Sequence, residues 1–134
     1  MFLHKVLIDD YAHHPEELNA LISGVRSLYP TEKMVLEFQP HLFSRTQDQA
    51  AGFSATLDQA DEVILLPIYP ARELPIPGVT SDMLLSAMTI EKKQVMSKEQ
   101  LMAWAATTED KLIVMAGAGD IDVCINQIKD ILTK

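Results

Sequence analysis

The alternation of short apolar runs with amphipathic segments predicts an α/β domain of the Rossmann-like kind. Such a domain is a three-layer sandwich, here with a mostly parallel sheet of about five or six strands between layers of helices. Two observations carry this expectation. Five strand-like runs, at Val6–Ile8, Lys33–Phe38, Val63–Leu66, Gln94–Met96 and Leu112–Met115, are each followed by a segment of helical periodicity. The 134 residues, 48% hydrophobic and without internal repeat or low-complexity linker, suit a single domain spanning residues 1–134.

The elements follow in order. Met1 to Lys5 carry little signal, and His4 is placed at the strand edge. Val6, Leu7 and Ile8 form the first strand and empty into Asp9-Asp10-Tyr11-Ala12-His13-His14. Pro15 suits the first position of a helix, and Glu16 and Glu17 suit the positive end of its dipole. Leu18, Leu21, Ile22, Val25 and Leu28 give that helix one apolar face, and it should end before Pro30. After the second strand, Gln39-Pro40-His41 closes the run and Ser44 to Gln49 carry capping-type residues. These lead into a helix with Ala50, Phe53, Leu57 and Ala60 on one face. Gly52 costs that helix about 1 kcal/mol relative to alanine, unless close packing against the sheet compensates.

Val63 to Leu66 is the most apolar stretch and reads as a central strand buried on both faces. Four prolines and a glycine between Pro67 and Gly78 make an ordered, irregular loop. Thr80 or Ser81 caps a short helix carrying Leu84, Leu85 and Met88. Ser97 and Gln100 form a capping box for a helix holding Leu101, Trp104 and Ala105. The fifth strand runs into Ala116-Gly117-Ala118-Gly119-Asp120, with Asp120 capping a last helix that turns Cys124, Ile128, Ile131 and Leu132 inward.

Composition excludes several classes of function. A net charge of −8 argues against nucleic acid or an anionic membrane as the main partner, although a single nucleotide can still bind through local groups. The one cysteine, Cys124, precludes an internal disulfide and fits a reducing cytoplasm. No apolar run approaches the roughly 18 residues of a membrane span, and the first residues show no signal-peptide pattern. These features predict a soluble cytoplasmic domain.

Three strand ends concentrate chemistry, which is where ligands gather in open α/β sheets. In the first, two carboxylates, a phenol and two imidazoles crowd six positions from Asp9 to His14, more than a connecting turn needs. Asp10 as a strand terminator and His14 as an ordinary pre-proline residue is the plainer reading. Adjacent histidines without HxxxH or CxxC spacing do not predict a metal site. In the second, Arg45 just before a helix suits a carboxylate or phosphate clamp, or a surface pair with Asp48. His41, Ser44 and Asp48 lack a nucleophile elbow and are set aside as a triad. In the third, Gly117-x-Gly119 reads as a tight turn or an anion site, without the third glycine of a dinucleotide fingerprint. Cys124 lies on an apolar helix face as core, and no G-x-x-x-x-G-K-[ST] phosphate loop occurs anywhere.

The motifs resemble those of the C-terminal domain of Mur ligases. Asp9-Asp10-Tyr11-Ala12-His13-His14-Pro15 is similar to the family's DDYGHHP-type signature, with Ala12 in place of glycine. Gln39 to Thr46, QPHLFSRT, is similar to QPHR-(Y/F)-(S/T)-R-T, except that Leu42 stands where many relatives have arginine. Tyr69 to Ser81 resembles the YPA-x-E-x-PIPG-x-x-S loop, and Gly117 to Ile121 the GAG-(N/D)-I turn. The four motifs keep the family's order and spacing over nearly the whole chain.

The resemblance implies one part of an ATP-dependent ligase of peptidoglycan synthesis, specifically the branch that joins L-alanine to UDP-N-acetylmuramate. ATP phosphorylates the muramoyl carboxylate, the alanine amine attacks the acyl phosphate, and a tetrahedral intermediate collapses to amide and phosphate. Such ligases have three domains, and the resemblance covers only the third. The UDP-sugar domain and the P-loop domain holding most of the Mg2+ ligands would be its partners. By the same resemblance Asp10, Tyr11 and His13 face the nucleotide, with Asp10 at the ribose. Tyr11, His13 and His14 also face the reacting carboxylates, and Arg45, with His41, orients the carboxylate of the incoming alanine. No side chain acts as a nucleophile, and the isolated chain is expected not to turn over. The alternatives are a sister ligase that attaches a recycled tripeptide, a non-catalytic nucleotide-binding domain, and a plain interaction module.

Overall fold

The computed structural model describes residues 6–132. The expectation for His4 falls outside them. Five strands form one all-parallel sheet: β1 (Val6–Asp10), β2 (Met34–Phe38), β3 (Glu62–Leu65), β4 (Lys93–Val95) and β5 (Leu112–Ala116), in the order β1-β5-β2-β3-β4. The helices are α1 (Pro15–Leu28), α2 (Phe43–Asp48), α3 (Ala50–Leu57), α4 (Ser81–Ser86), α5 (Lys98–Thr107) and α6 (Ile121–Leu132). The three-layer α/β expectation is met with five strands.

Strand periodicity explains the two cores. Met34, Leu36 and Phe38 of β2, with Leu112, Val114 and Ala116 of β5, pack under Leu18, Ile22 and Val25 of α1 and Phe53 and Leu57 of α3. The alternate residues Val35, Ile113, Met115 and Ile64 face Leu101 and Ala105 of α5 and Cys124 and Ile128 of α6. Cys124 is therefore core, as expected. Strands β1 to β4 step outward with their helices on one face. The chain then returns over the other face to insert β5 between β1 and β2. No helix among the described residues is long and apolar enough to cross a membrane.

Local expectations fared unevenly. Pro15 opens α1, and the helix stops at Leu28, before Pro30. Thr80 accepts from the Met83 N–H at the start of α4, and Ser97 with Gln100 forms the capping box of α5. The segment after β2 is two helices, because Gln49, at φ −116°, closes α2 and opens α3. Gly52 does pack closely, but against α1: a Cβ there would lie 3.2 Å from Cγ of Pro15. Asp120 precedes α6 as expected, yet its carboxylate is turned to Gln39 and Lys98. The Ile121 N–H at the head of α6 is met instead by Gln39 Oε1, 2.7 Å away and 82 residues earlier.

Candidate functional site

The strand order decides the site. Because β5 lies between β1 and β2, the turns after β1, β5, β2 and β3 stand side by side along the carboxyl edge of the sheet. All four sequence motifs occupy those turns. The helices leaving β1 and β2 pack on one face and the helix leaving β5 on the other, which is the arrangement that opens a crevice.

The turn after β1 is built by its own polar groups. Asp10 Oδ1 accepts from the Ala12 N–H at 2.9 Å, and among the described residues its second carboxylate oxygen makes no hydrogen bond. The His13 and His14 N–H groups both donate to Glu17 Oε1 at 3.2 Å, tying the turn to the first turn of α1. The bond from the His13 N–H holds the Glu17 carboxyl below its usual range. Tyr11 projects outward, 64% exposed.

Tautomers follow from fixed partners. His13 Nδ1 lies 2.8 Å from the Tyr11 carbonyl, which can only accept, so this nitrogen carries a proton. His41 Nδ1 lies 3.1 Å from an Arg45 guanidinium nitrogen, which can only donate. There Nε2 carries the proton. Burial, then the Arg45 and His13 charges, hold the His41 pKa below its usual value, so it is neutral near pH 7. The His13 and His41 rings approach at 71°, with centroids 6.2 Å apart, and His13 lies 4.8 Å from His14. The His41 Nε2–H donor thus stands beside the His13 ring, with Arg45 behind it.

The turns after β2 and β3 are laced together. Leu42 N–H donates to the Tyr69 carbonyl and Tyr69 N–H to the Pro40 carbonyl, each at 2.8 Å. The His41 ring stacks on Tyr69 at 5.6 Å and 12°. Glu73, in the same proline-rich loop, accepts from the Ser44 N–H at 3.1 Å and from its hydroxyl. Among the described residues no ion pair joins Arg45 to Asp48. The surface-pair reading of Arg45 therefore gives way to a contact with His41.

The glycines of the third turn are required by its geometry. Gly117 has φ +142°, and a Cβ on Gly119 would lie 2.6 Å from Cβ of Tyr69 and 2.7 Å from Gln39 Oε1. This is the tight-turn reading of Gly117-x-Gly119, with Gln39 rather than an anion at the helix head.

A family model described as the glutamate ligase domain of Mur ligases matches residues 3–119. The chain belongs to the Mur ligase family. It is 51% identical over 129 residues, 96% of the chain, to the UDP-N-acetylmuramate–L-alanine ligase of Flavobacterium johnsoniae. It is 49% identical over the same share to the enzyme of that name from Parabacteroides distasonis. The chain spans 29% and 28% of those relatives. Among solved structures, the Thermotoga maritima UDP-N-acetylmuramate–alanine ligase superposes with a TM-score of 0.72 over 92% of this chain and 26% of its own, at 24% identity. A murein peptide ligase from Psychrobacter arcticus gives 0.71 at 16% identity, over 98% of this chain and 28% of its own. Those two likenesses speak to the fold.

The Mur ligase motifs thus meet along one edge of the sheet. Asp10, Tyr11, His13 and His14 share one turn, and His41 with Arg45 adjoins it. His13, His14 and Glu17 offer ligand atoms within 4.8 Å of one another. However, Glu17 is engaged by two backbone N–H groups and His13 Nδ1 by Tyr11, and two imidazoles suit Mg2+ poorly, since that ion takes oxygen ligands. The set does not fit magnesium. Sequence reasoning missed Gln39, Tyr69 and Glu73 as organising groups, though all three lie inside the motifs it quoted.

Proposed function

We propose that this chain is the C-terminal domain of an ATP-dependent ligase joining L-alanine to UDP-N-acetylmuramate in cytoplasmic peptidoglycan synthesis. The observation that carries the reading is the 51% identity over 96% of the chain to the Flavobacterium johnsoniae enzyme of that activity. Its partners are ATP, UDP-N-acetylmuramate, L-alanine and the two other ligase domains, and Mg2+ is held outside this chain.

The side chains divide the work between nucleotide and amino acid. The free oxygen of Asp10 suits a ribose hydroxyl, and Tyr11 and His13 line the nucleotide side. Arg45 offers a planar fork to the alanine carboxylate, and His41 Nε2–H adds a neutral donor beside it. His14 stands toward the reacting carboxylates. The contribution is orientation: the amine is held at the acyl phosphate while closure keeps out water that would hydrolyse it. In Leu42 the domain lacks the arginine many relatives carry, so Arg45 takes the larger share of carboxylate binding.

The test is phosphate release by the complete native polypeptide with Mg2+, ATP and UDP-N-acetylmuramate. Release on adding L-alanine supports the reading. Release only with the recycled tripeptide would make it the sister ligase, and release with neither would leave a binding domain. In the same enzyme, Arg45→Ala should raise the KM for alanine more than that for ATP.

A further inference from the structure

The short helix α2 carries Arg45 but has no cap of its own. Leu42 occupies its N-cap position with an apolar side chain, and at φ +71° it holds a backbone conformation that costs a non-glycine residue. Left alone, such a helix start would fray and Arg45 would swing with it. What holds it comes from the proline-rich loop, 29 residues further along the chain.

We propose that Glu73 is a positioning residue for amino-acid recognition, clamping the first turn of α2 and thereby setting the direction of Arg45. The inference rests on the reading of Arg45 given above. One Glu73 oxygen accepts from the Ser44 backbone N–H at 3.1 Å and the other from the Ser44 hydroxyl, so the carboxylate supplies the cap that Leu42 cannot. The loop is shaped to deliver it. Ala71 adopts φ +52°, and the Glu73 N–H returns to the Pro70 carbonyl at 2.9 Å, closing a tight turn just before the side chain reaches α2. On the far side, the bridge between His41 and Tyr69 and their stacked rings fix the other end of the same segment. Arg45 is left between two anchored points, with one guanidinium nitrogen on His41 Nδ1.

The use of both Glu73 oxygens on Ser44 has a second effect. A carboxylate at the start of the helix that carries Arg45 could pair with it and compete with a ligand carboxylate. Among the described residues Glu73 makes no ion pair with Arg45, and its charge is satisfied by Ser44, whose two donors also hold its pKa below the usual range. Among the described residues the guanidinium is engaged only by His41, through one nitrogen. Glu73 therefore orders the clamp without occupying it.

The experiment is steady-state kinetics on the complete ligase containing this chain, comparing Glu73→Ala, Glu73→Gln, Arg45→Ala and the double variant Glu73→Ala/Arg45→Ala. Thermal melts confirm that each is folded. Glu73→Ala should raise the KM for alanine about tenfold, as expected for a misdirected binding group, with the KM for ATP changed less than about twofold. Glu73→Gln keeps an acceptor for the Ser44 N–H but loses one for the hydroxyl, and should fall between wild type and alanine. The double variant should be no worse than Arg45→Ala, because residues acting through one another are not additive. Multiplicative effects, or an equal rise in the KM for ATP, would overturn the inference. A raised alanine constant in Arg45→Ala with an unchanged one in both Glu73 variants would overturn it alone. An unchanged alanine constant in Arg45→Ala would remove the clamp reading and the inference together.

Discussion

Glu37 sits in the middle of β2 with both carboxylate oxygens buried and without a hydrogen-bond partner among the described residues. Burial pushes its pKa up to about 8. The folded chain therefore keeps this proton between about pH 4.5 and 8 while the unfolded chain releases it, so Glu37 makes stability fall as pH rises through that window. Above about 8 both states are ionised and the decline stops. At roughly 1.4 kcal/mol per pH unit, the loss amounts to a few kcal/mol. Denaturant titrations at several pH values should show it in the wild type and a flatter profile in Glu37→Gln. If the two profiles are parallel, Glu37 does not titrate as described. Gln39, two residues on, does the opposite work: its amide bonds Pro67, Asp120 and Ile121 at once. Gln39→Ala should cost about 2–4 kcal/mol, read from chemical denaturation, because it uncaps α6 and strands buried partners. Neither role was legible in the sequence. A glutamate in an apolar run suggests an exposed strand face, and a glutamine at a strand end says nothing of a helix 82 residues away.

At the scale of elements the sequence was far more explicit. Hydrophobic spacing marked every strand, and Pro15, Thr80 and the Ser97–Gln100 box marked helix starts, because those signals act within a few residues of themselves. The exceptions are instructive. The break at Gln49 lets α2 stay at the site while α3 turns to pack on α1, a tertiary demand that no local propensity encodes. Two helical glycines separate propensity from packing. Nothing lies within 4 Å of where a Gly24 Cβ would stand in α1, so Gly24→Ala should stabilise by about 0.5–1 kcal/mol. At Gly52 the same substitution would press a methyl onto Pro15, and the gain should be cancelled. Melting temperatures of the two variants would distinguish them; equal stabilisation would mean that the α1–α3 contact yields freely.

Across the whole molecule, the candidate site is a product of strand order. Residues near positions 10, 41, 72 and 119 become neighbours because β1, β5, β2 and β3 lie side by side in one parallel sheet. The motifs were readable one by one, and family resemblance gave them a common purpose, but their side-by-side placement is a property of the folded sheet. With no P-loop and a donor set unsuited to magnesium, the isolated chain should show no ATP-dependent ligation above background. Measurable turnover by residues 1–134 alone would contradict the division of labour proposed here.

The insertion of β5 also bears on how the domain is made. Leu112–Ala116 hydrogen-bonds to β1 on one side and β2 on the other, yet it is the last of the five strands of this sheet to be synthesised. Until it emerges, β1 has no partner strand and β2 presents a bare, apolar inner edge, the kind of surface on which nascent chains aggregate. The four earlier strands of this sheet must therefore wait, half assembled, for a single five-residue segment to close it. In that interval the sheet is open between β1 and β2, and Leu112–Ala116 is the segment that closes it.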